Sequence, residues 1–474
     1  MVSTIRAAFT VTVCVLVAAG SSAEAQQFPP NPKVDRIFAE WDKPDSPGCA
    51  VGVVQNGRFI YQRGYGMANL DYDIPNGPEM VYYVGSVSKQ FTAAALGLLV
   101  LDGKVSLDDD IRKYFPEMPD YGSPITIRHL VHHTSGIRDV YGIMGIAGLR
   151  IEDVYADSEA VALIARQKAL NFAPGSAHLY SNSGYFLMAQ LVRRVTGKSL
   201  RVFADERMFQ PLGMTHTHFH DDPGHVMKKR AMSYERDSAG VYRISYLQNF
   251  DKIGAGGLYT TLDDMRKWDE NYYTHKVGGE ALQKMIHTRG VLTSGDTLPY
   301  AFGNNVASYR GLRTTEHGGA LMGYKAHIYR FPEQHFTVLE TCNLGAINTG
   351  PLAEAVAEVY LGDKMGPKTQ RAAAAPQRPP ADGGLTSGAN ADFASLAGDY
   401  YSEEVDATYH VTWRDGRLSY AGHHVPMQVL VPIGPDTFRG GGQTVRFERS
   451  APGAAATGFT IGGGRATGFR FQRR

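Results

Sequence analysis

The chain has 474 residues, of which 43% are hydrophobic and 11% aromatic. A single hydrophobic core rarely grows beyond roughly 250–300 residues, so we expect two folded units, or one large unit with an appendage. The 48 lysines and arginines nearly balance the 47 aspartates and glutamates. This balance argues against a nucleic-acid partner and favours a small molecule or a short peptide as the substrate.

The first 25 residues resemble an export signal. Arg6 precedes an apolar run over residues 7–20, which is too short to span a membrane. Small residues then lead up to Ala25 at the spacing that a signal peptidase reads. We expect cleavage after Ala25, a periplasmic or secreted mature protein, and no stable insertion in the membrane. The alternative is a retained membrane anchor.

Two short strands are predicted near the start of the mature chain. Residues 48–54 and 58–65 are rich in strand-forming residues, and the Asn-Gly pair between them is typical of a hairpin turn. Cys49 lies in the first run and Cys342 in a later apolar run. An oxidising compartment permits a bridge between them. Two buried free thiols are the alternative, and the sequence slightly favours them.

Helices are predicted through the middle of the chain. Apolar residues at helical spacing predict a helix from Ser86 to about Leu101, ended by Gly103. Further helices are predicted at 158–167, 184–196, 200–209, 262–273 and 351–361. Strand-like runs return at 324–331 and 335–342. This order predicts an α+β fold, in which an antiparallel sheet built from both ends of the domain is flanked by helices and a helical subdomain.

The composition changes after residue 363. Residues 364–391 are rich in alanine, proline and glycine, which predicts a linker. Residues 392–474 carry short alternating runs separated by glycine-rich turns, and they predict a small all-β unit that resembles a barrel or a sandwich. We therefore expect a first domain over residues 26–363, and a C-terminal β-domain without a catalytic constellation.

Ser86 and Lys89 form the central chemical motif. They are one helical turn apart, so the hydroxyl and the amine share a face of the predicted helix. Serine is a poor nucleophile without an adjacent base. Lysine can be that base when burial and nearby cations lower its pKa enough to keep it neutral. The structural alternative is a helix cap followed by a surface lysine.

Two further motifs follow along the chain. Tyr180 and Asn182 come after a Pro-Gly loop, where a tyrosine can relay protons and an amide can bind a substrate carbonyl or the lysine. The third motif is His317-Gly318-Gly319, just before a predicted strand, where glycines let a substrate backbone approach closely. Each triplet alone is usually structural, and the combination of three is far more specific.

Taken in this order, the motifs resemble those of penicillin-binding proteins and β-lactamases. The chain is similar to the class C-like branch of that family, in which Tyr-x-Asn is the second element. Further similarity lies at residues 47–54, at Gly85, and at residues 125–136 and 254–261. The resemblance extends over about residues 30–362.

The resemblance implies that Ser86 is acylated and that the acyl-enzyme is then hydrolysed. It implies that Lys89 and Tyr180 share the acid–base role, and that Asn182 contacts the lysine and the substrate amide. It also implies an oxyanion hole from the backbone N–H groups of Ser86 and Ala320. No cofactor is implied.

The third motif departs from the usual Lys-Thr-Gly of this family, whose lysine and hydroxyl hold a substrate carboxylate. Here Gly318 and Gly319 are expected to line the substrate, and His317 to donate a hydrogen bond. His-x-Gly versions occur among D-aminopeptidases, DD-peptidases and esterases of the family, and a trailing β-barrel is similar to the D-aminopeptidase-like members. We expect an exported serine hydrolase acting on an amide or ester of a small substrate, such as a D-amino-acid peptide. The alternatives are a β-lactamase or D-Ala-D-Ala carboxypeptidase, and a low-turnover binding scaffold.

Three other features of the sequence involve histidines. The alternating histidines of residues 216–220 could bind zinc, but a structural role is favoured and no metal site is expected. His132 and His133 are expected to hold a turn together. Glu316 could raise the pKa of the adjacent His317. The sequence leaves the oligomeric state open.

Overall fold

A computed structural model of the protein describes residues 28–153, 156–245, 251–368 and 393–474. The predicted export signal lies outside these residues, and so does the predicted linker 364–391 apart from residues 364–368. In the described part of the chain, no helix combines the length and the apolar character that crossing a membrane requires.

The α-helices are, in chain order, α1 (Pro32–Phe38), α2 (Ser88–Leu101), α3 (Ile127–Val131), α4 (Val140–Ala147), α5 (Asp157–Ala165), α6 (Asn182–Thr196), α7 (Leu200–Ala204), α8 (Gln210–Leu212), α9 (Leu262–Thr274), α10 (Gly279–Ile286) and α11 (Thr349–Leu361). A π-helical turn over Asp205–Phe209 joins α7 to α8. Short 3₁₀ turns lie at Gly85–Val87, Ile111–Lys113, Pro332–Gln334, Gly362–Lys364 and Phe393–Leu396.

The strands of the first domain are β1 (Cys49–Gln55), β2 (Arg58–Tyr65), β3 (Met67–Asn69), β4 (Ile74–Pro75), β5 (Tyr82–Tyr83), β6 (His218–Phe219), β7 (Tyr234–Arg236), β8 (Tyr242–Ile244), β9 (Leu258–Thr260), β10 (Asn305–Tyr309), β11 (Leu312–Leu321), β12 (Tyr324–Phe331) and β13 (Phe336–Cys342). Those of the C-terminal domain are β14 (Gly398–Ser402), β15 (Ala407–Arg414), β16 (Arg417–Gly422), β17 (Val425–Gly434), β18 (Thr437–Gly440), β19 (Gln443–Arg449), β20 (Ala456–Gly463) and β21 (Ala466–Arg473).

The central sheet has six antiparallel strands in the order β10-β11-β12-β13-β1-β2. Its two faces are both covered, which explains why β1 reads as a continuous apolar run rather than an alternating one. Ala50 and Val54 belong to the core formed with α2 and α6, whereas Val51 and Val53 belong to the core formed with α1 and α11. The predicted α+β class and the antiparallel sheet built from both ends of the domain are confirmed.

The predicted helices correspond to α2, α5, α6, α7, α9 and α11, with shifts of one or two residues at most ends. The third motif lies just before β12, as predicted. His317 and the two glycines are themselves inside β11, a strand that the sequence did not predict. Glycine is a weak strand former, so this segment carried little strand signal.

Cys49 and Cys342 form a disulfide bond. The slight preference for two free thiols is therefore wrong. The two residues are directly opposite each other in the antiparallel pair of β1 and β13, with their Cα atoms 4.0 Å apart. Such a pairing depends on the register of two strands that are remote in sequence, which composition does not determine.

The C-terminal domain is a closed barrel in which β14 to β21 pair in chain order and β14 pairs with β21. Its core is continuous with that of the first domain, because residues such as Tyr409 and Phe469 belong to the same buried cluster as α4 and α6. Across this contact Arg138 donates to Glu404 at 2.9 Å, and both side chains are buried. The Tyr409 hydroxyl donates to the carbonyl of Ile146 at 2.9 Å.

Candidate active site

Ser86 lies in the 3₁₀ turn that leads into α2, and its side chain is half-buried. The turn is pressed against β11. Gly85 has φ +53°, and a Cβ on it would lie 2.5 Å from the backbone nitrogen of Ala320. This approach leaves no room for a side chain, and glycine adopts the left-handed conformation at no steric cost. The position before the nucleophile is therefore occupied by glycine for a steric reason.

Lys89 is completely buried one turn into α2. Its Nζ atom lies 3.0 Å from the Ser86 Oγ atom, and it donates to the Asn182 Oδ1 atom at 3.0 Å and to the carbonyl of Ala255 at 2.6 Å. Burial lowers the pKa of Lys89 well below its usual value, and the charge of Arg465 lowers it further against the opposing charge of Asp139. The environment of the amine beside the serine thus favours the neutral form that a general base needs.

Asn182 begins α6, and it is fixed by a carboxylate that no motif contains. Asp139 accepts from the Asn182 backbone N–H at 2.7 Å and from its Nδ2 atom at 2.8 Å. The same carboxylate caps α4 by accepting from the backbone N–H of Tyr141 at 3.1 Å. Because the Nδ2 atom of the side chain donates to Asp139, its Oδ1 atom is turned toward Lys89.

Tyr180 packs over the amine, with its ring centroid 4.8 Å from the Lys89 Nζ atom. Burial raises the pKa of its hydroxyl, although the nearby hydroxyl of Ser86 and the charge of Arg465 oppose that effect. The Tyr180 hydroxyl is buried, and it forms no well-aligned hydrogen bond with any described residue. It is therefore a protonated, buried hydroxyl beside the nucleophile, placed to exchange a proton with substrate.

His317 faces the same cleft from β11. Its Nε2 atom lies 3.1 Å from the Tyr300 hydroxyl, and its Nδ1 atom lies 2.5 Å from the carbonyl of Gly318. Burial lowers the pKa of His317 to about 4. Glu316 raises this pKa, as expected, but the effect of burial is larger. Glu316 also bonds His327 at 3.0 Å.

The two backbone N–H groups of the predicted oxyanion hole are brought together. A Cβ on Gly319 would lie 2.9 Å from the backbone nitrogen of Ser86, and Gly85 has the equivalent approach to Ala320. Gly318 and Gly319 line the cleft with Ala320. The glycines therefore let β11 run close to the turn that carries the nucleophile, as the motif predicts.

His133 supports the tyrosine motif from behind. Its ring packs on Tyr180 with centroids 4.2 Å apart, and its Nδ1 atom accepts from the Ser181 backbone N–H at 3.1 Å. His133 has φ +57° and its carbonyl accepts from Leu179 at 3.0 Å. The structural role expected of this histidine agrees with these contacts. Sequence reasoning missed Asp139 and Tyr300, since neither lies in a recognisable motif.

The site opens into a cleft of about 760 Å³. Its walls include Ser86, Tyr180, Asn182 and His317. The C-terminal barrel also contributes one side chain, Arg465, whose guanidinium lies 4.7 Å from the centroid of the Tyr180 ring. The sequence assigned no site residue to the barrel, so this contribution was missed as well.

No group of metal-binding side chains is present in the part of the chain that the structure describes. In the histidine run, the Nε2 atom of His218 faces the Nδ1 atom of His220 at 3.4 Å. Burial lowers the pKa of these rings to about 3 and about 4. His218 stacks on Tyr259, and His220 meets the same ring edge-on.

Residues 34–389 match the model of the family described as Beta-lactamase. A D-aminopeptidase of Gluconobacter oxydans is 29% identical over 297 residues, which cover 63% of this chain and 56% of that protein. A D-aminopeptidase of Brucella canis is also 29% identical, with the same coverage. The chain thus aligns with little more than half the length of these relatives.

Two solved structures have the same fold. The octameric penicillin-binding protein homologue from Pyrococcus abyssi has a TM-score of 0.64 at 20% identity, and the match covers 93% of this chain and 99% of that chain. The D-amino acid amidase from Ochrobactrum anthropi SV3 has a TM-score of 0.59 at 20% identity, with 71% and 100% covered. Together with the family match over most of the chain, the motifs and their geometry show that this protein belongs to the beta-lactamase family of serine hydrolases.

Proposed function

We propose that the protein is an exported serine hydrolase that cleaves an amide or ester bond of a small substrate through an acyl-enzyme on Ser86. The observation that carries this proposal is the 3.0 Å contact between the Ser86 hydroxyl and a completely buried Lys89 amine. Buried lysine beside serine is the arrangement in which the amine can accept the hydroxyl proton.

In the first step, neutral Lys89 takes the proton of Ser86 while the Oγ atom attacks the substrate carbonyl carbon. The negative charge that develops on the carbonyl oxygen is bound by the backbone N–H groups of Ser86 and Ala320. Collapse breaks the bond to the leaving group, which receives its proton from Lys89 by way of Tyr180. An ester now joins the acyl group to Ser86.

In the second step, a water molecule attacks this ester. The same pair of groups takes the proton of the water and returns one to the Ser86 oxygen, so the acid is released and the enzyme is restored. Asn182 holds the lysine amine in place, and its own position depends on Asp139. His317 remains neutral at pH 7, because its pKa is about 4.

The similarity to D-aminopeptidases supports a D-amino-acid peptide, amide or ester as the substrate of this protein. Export is supported by the N-terminal segment of the sequence and by the disulfide bond, which persists in oxidising compartments. We accordingly propose a periplasmic or secreted location. A β-lactamase or D-Ala-D-Ala carboxypeptidase is the alternative activity, although a neutral His317 binds a carboxylate less well than the lysine usual at that position.

The test is mass spectrometry of the intact protein after reaction with a fluorophosphonate, p-nitrophenyl acetate and a D-alanyl p-nitroanilide. We expect an adduct on Ser86 that is lost in Ser86→Ala and kept in Ser176→Ala, which removes an exposed serine from the nearby loop. The chromogenic substrate that turns over distinguishes esterase from amidase. An adduct that forms and is never released would favour the low-turnover scaffold, and no adduct on Ser86 would contradict the proposal.

A further inference from the structure

Arg465 is the residue that the barrel places in the active-site cleft. It lies in the turn between β20 and β21, and its side chain is exposed. The guanidinium stands over the face of Tyr180 at 4.7 Å from the ring centroid. A charged group from a separate domain is therefore adjacent to the proposed proton relay.

The first domain fixes the backbone of this turn from two sides. The carbonyl of Arg465 accepts from the Asp139 backbone N–H at 3.1 Å and from the Asn171 Nδ2 atom at 2.9 Å. The Asn171 Oδ1 atom accepts from the backbone N–H of Thr467 at 3.1 Å. Asp139 also orients Asn182, which bonds Lys89. One residue therefore positions both Asn182 and the backbone of Arg465.

The guanidinium has no ion-pair or hydrogen-bond partner among the described residues, even though its backbone is well held. The cleft has a second cation in Lys325, and none of its described lining residues is an aspartate or a glutamate. The nearest acid on β11, Glu316, is already bonded to His327 at 3.0 Å and to Asn305 at 2.9 Å. Among the described residues that line the cleft, two side chains thus carry a positive charge and none carries a negative charge.

We propose that Arg465 binds a carboxylate of the substrate, so that the barrel sets the specificity of the serine hydrolase. The inference rests on the proposed function of Ser86. Arginine binds carboxylates through two parallel hydrogen bonds, and stacking on Tyr180 limits the directions in which the guanidinium can point. The substrate class is therefore an acyl compound with a carboxylate near the scissile bond.

The experiment uses the full-length mature protein and two matched substrate pairs. Mono-p-nitrophenyl glutarate and p-nitrophenyl pentanoate differ by a carboxylate on the acyl side. N-acetyl-D-alanyl-glycine and its C-terminal amide differ by a carboxylate on the leaving group. The readout is the ratio of kcat/KM for the charged member to kcat/KM for the neutral member, because any change in the shared chemical step cancels from it.

We expect the wild-type protein to prefer the charged member of at least one pair, and Arg465→Gln to lower that ratio about ten-fold or more, mainly through KM. Arg465→Lys should recover part of the preference. The matched control is Lys325→Gln, which removes the other cation of the cleft and should leave the ratio within about two-fold.

The carboxylate assignment is overturned if the wild-type protein prefers both neutral substrates, or if Arg465→Gln leaves the ratio unchanged. An equal loss of the ratio in Lys325→Gln would also overturn the assignment to Arg465. Failure of the underlying function is recognised separately, because Ser86 would then take no adduct from the fluorophosphonate, a probe without a carboxylate. An adduct on Ser86 without any preference for a carboxylate would contradict the assignment to Arg465 and leave the proposed hydrolase function intact.

Discussion

The nucleophile helix and the contact between the two domains each bury one basic side chain, with opposite results. Lys89 is surrounded by neutral acceptors, and the nearest carboxylate, Asp139, reaches it only through Asn182. Arg138 is equally buried, but its guanidinium meets the carboxylate of Glu404 directly. The surroundings of Lys89 favour its neutral form, whereas the ion pair with Glu404 keeps Arg138 charged.

The comparison shows that burial alone does not decide what a basic residue does. A lysine without a paired anion becomes a neutral base, because desolvation penalises its charged form. An arginine keeps its proton under almost any condition, so its burial requires a counter-ion. The active site is thus built on an unpaired amine whose neutral form is favoured, and the attachment of the barrel on a paired cation.

The largest expected effect comes from restoring a permanent charge beside Ser86. Lys89→Arg should lower kcat/KM about 10²- to 10⁴-fold, because a guanidinium cannot accept the serine proton. Lys89→Met, which has no charge to desolvate, should lower it similarly while keeping the fold. Steady-state kinetics with p-nitrophenyl acetate and circular dichroism measure both. Lys113→Arg, on the surface, is the control, and retention of activity in Lys89→Arg would contradict the role of base.

The second-largest effect is expected when the counter-ion of Arg138 is removed from the contact between the two domains. Glu404→Gln should lower the free energy of unfolding by about 3 kcal/mol, because it leaves the charge of Arg138 buried and unpaired. Denaturation by urea, followed by tryptophan fluorescence, measures the change. The neighbouring Glu403→Gln is the control, since its side chain is 80% exposed and 4.0 Å from Lys168. Equal stabilities of the two variants would show that the buried pair does not hold the barrel.

The smallest expected effect is the pH dependence that His317 confers. Its pKa is about 4 in the folded protein against 6.5 in the unfolded chain. Its contribution to stability is therefore complete above pH 6.5 and is lost as the pH falls toward 4. Between pH 7 and pH 5 the loss is about 2 kcal/mol.

His317→Gln should reduce the difference in unfolding free energy between pH 7 and pH 5 by that amount, whatever it does to the stability at pH 7. His410→Gln, which changes an exposed ring of the barrel, is the control. The same pH dependence in His317→Gln and in the wild-type protein would mean that the ring is not held neutral by burial.

The parts of the site that sequence reasoning identified are those with a local signature. Ser86 and Lys89 share a helical face, and Gly85 directly precedes the nucleophile. Asp139 and Tyr300 act across the fold, and nothing near them in sequence distinguishes them from ordinary polar residues. The site residues of the three motifs lie together in the structure, but the groups that orient them were not predictable.

The fold was predictable to a similar extent. Hydrophobic periodicity located the main helices and four strands of the central sheet, because those elements bury a regular face. It missed β11, where two glycines interrupt the pattern. It also missed the start of α6, since the first N–H of that helix is capped by Asp139 from another segment, and not by a neighbour in sequence.

The disulfide bond has a topological consequence for the whole enzyme. It joins residues 293 positions apart, and Ser86, Tyr180 and His317 all lie inside the closed loop that results. A single proteolytic cut within this loop would leave both fragments tethered through Cys49 and Cys342. A cut between residues 368 and 393 would instead break the only peptide connection to the barrel, and with it the covalent link between Arg465 and the nucleophile.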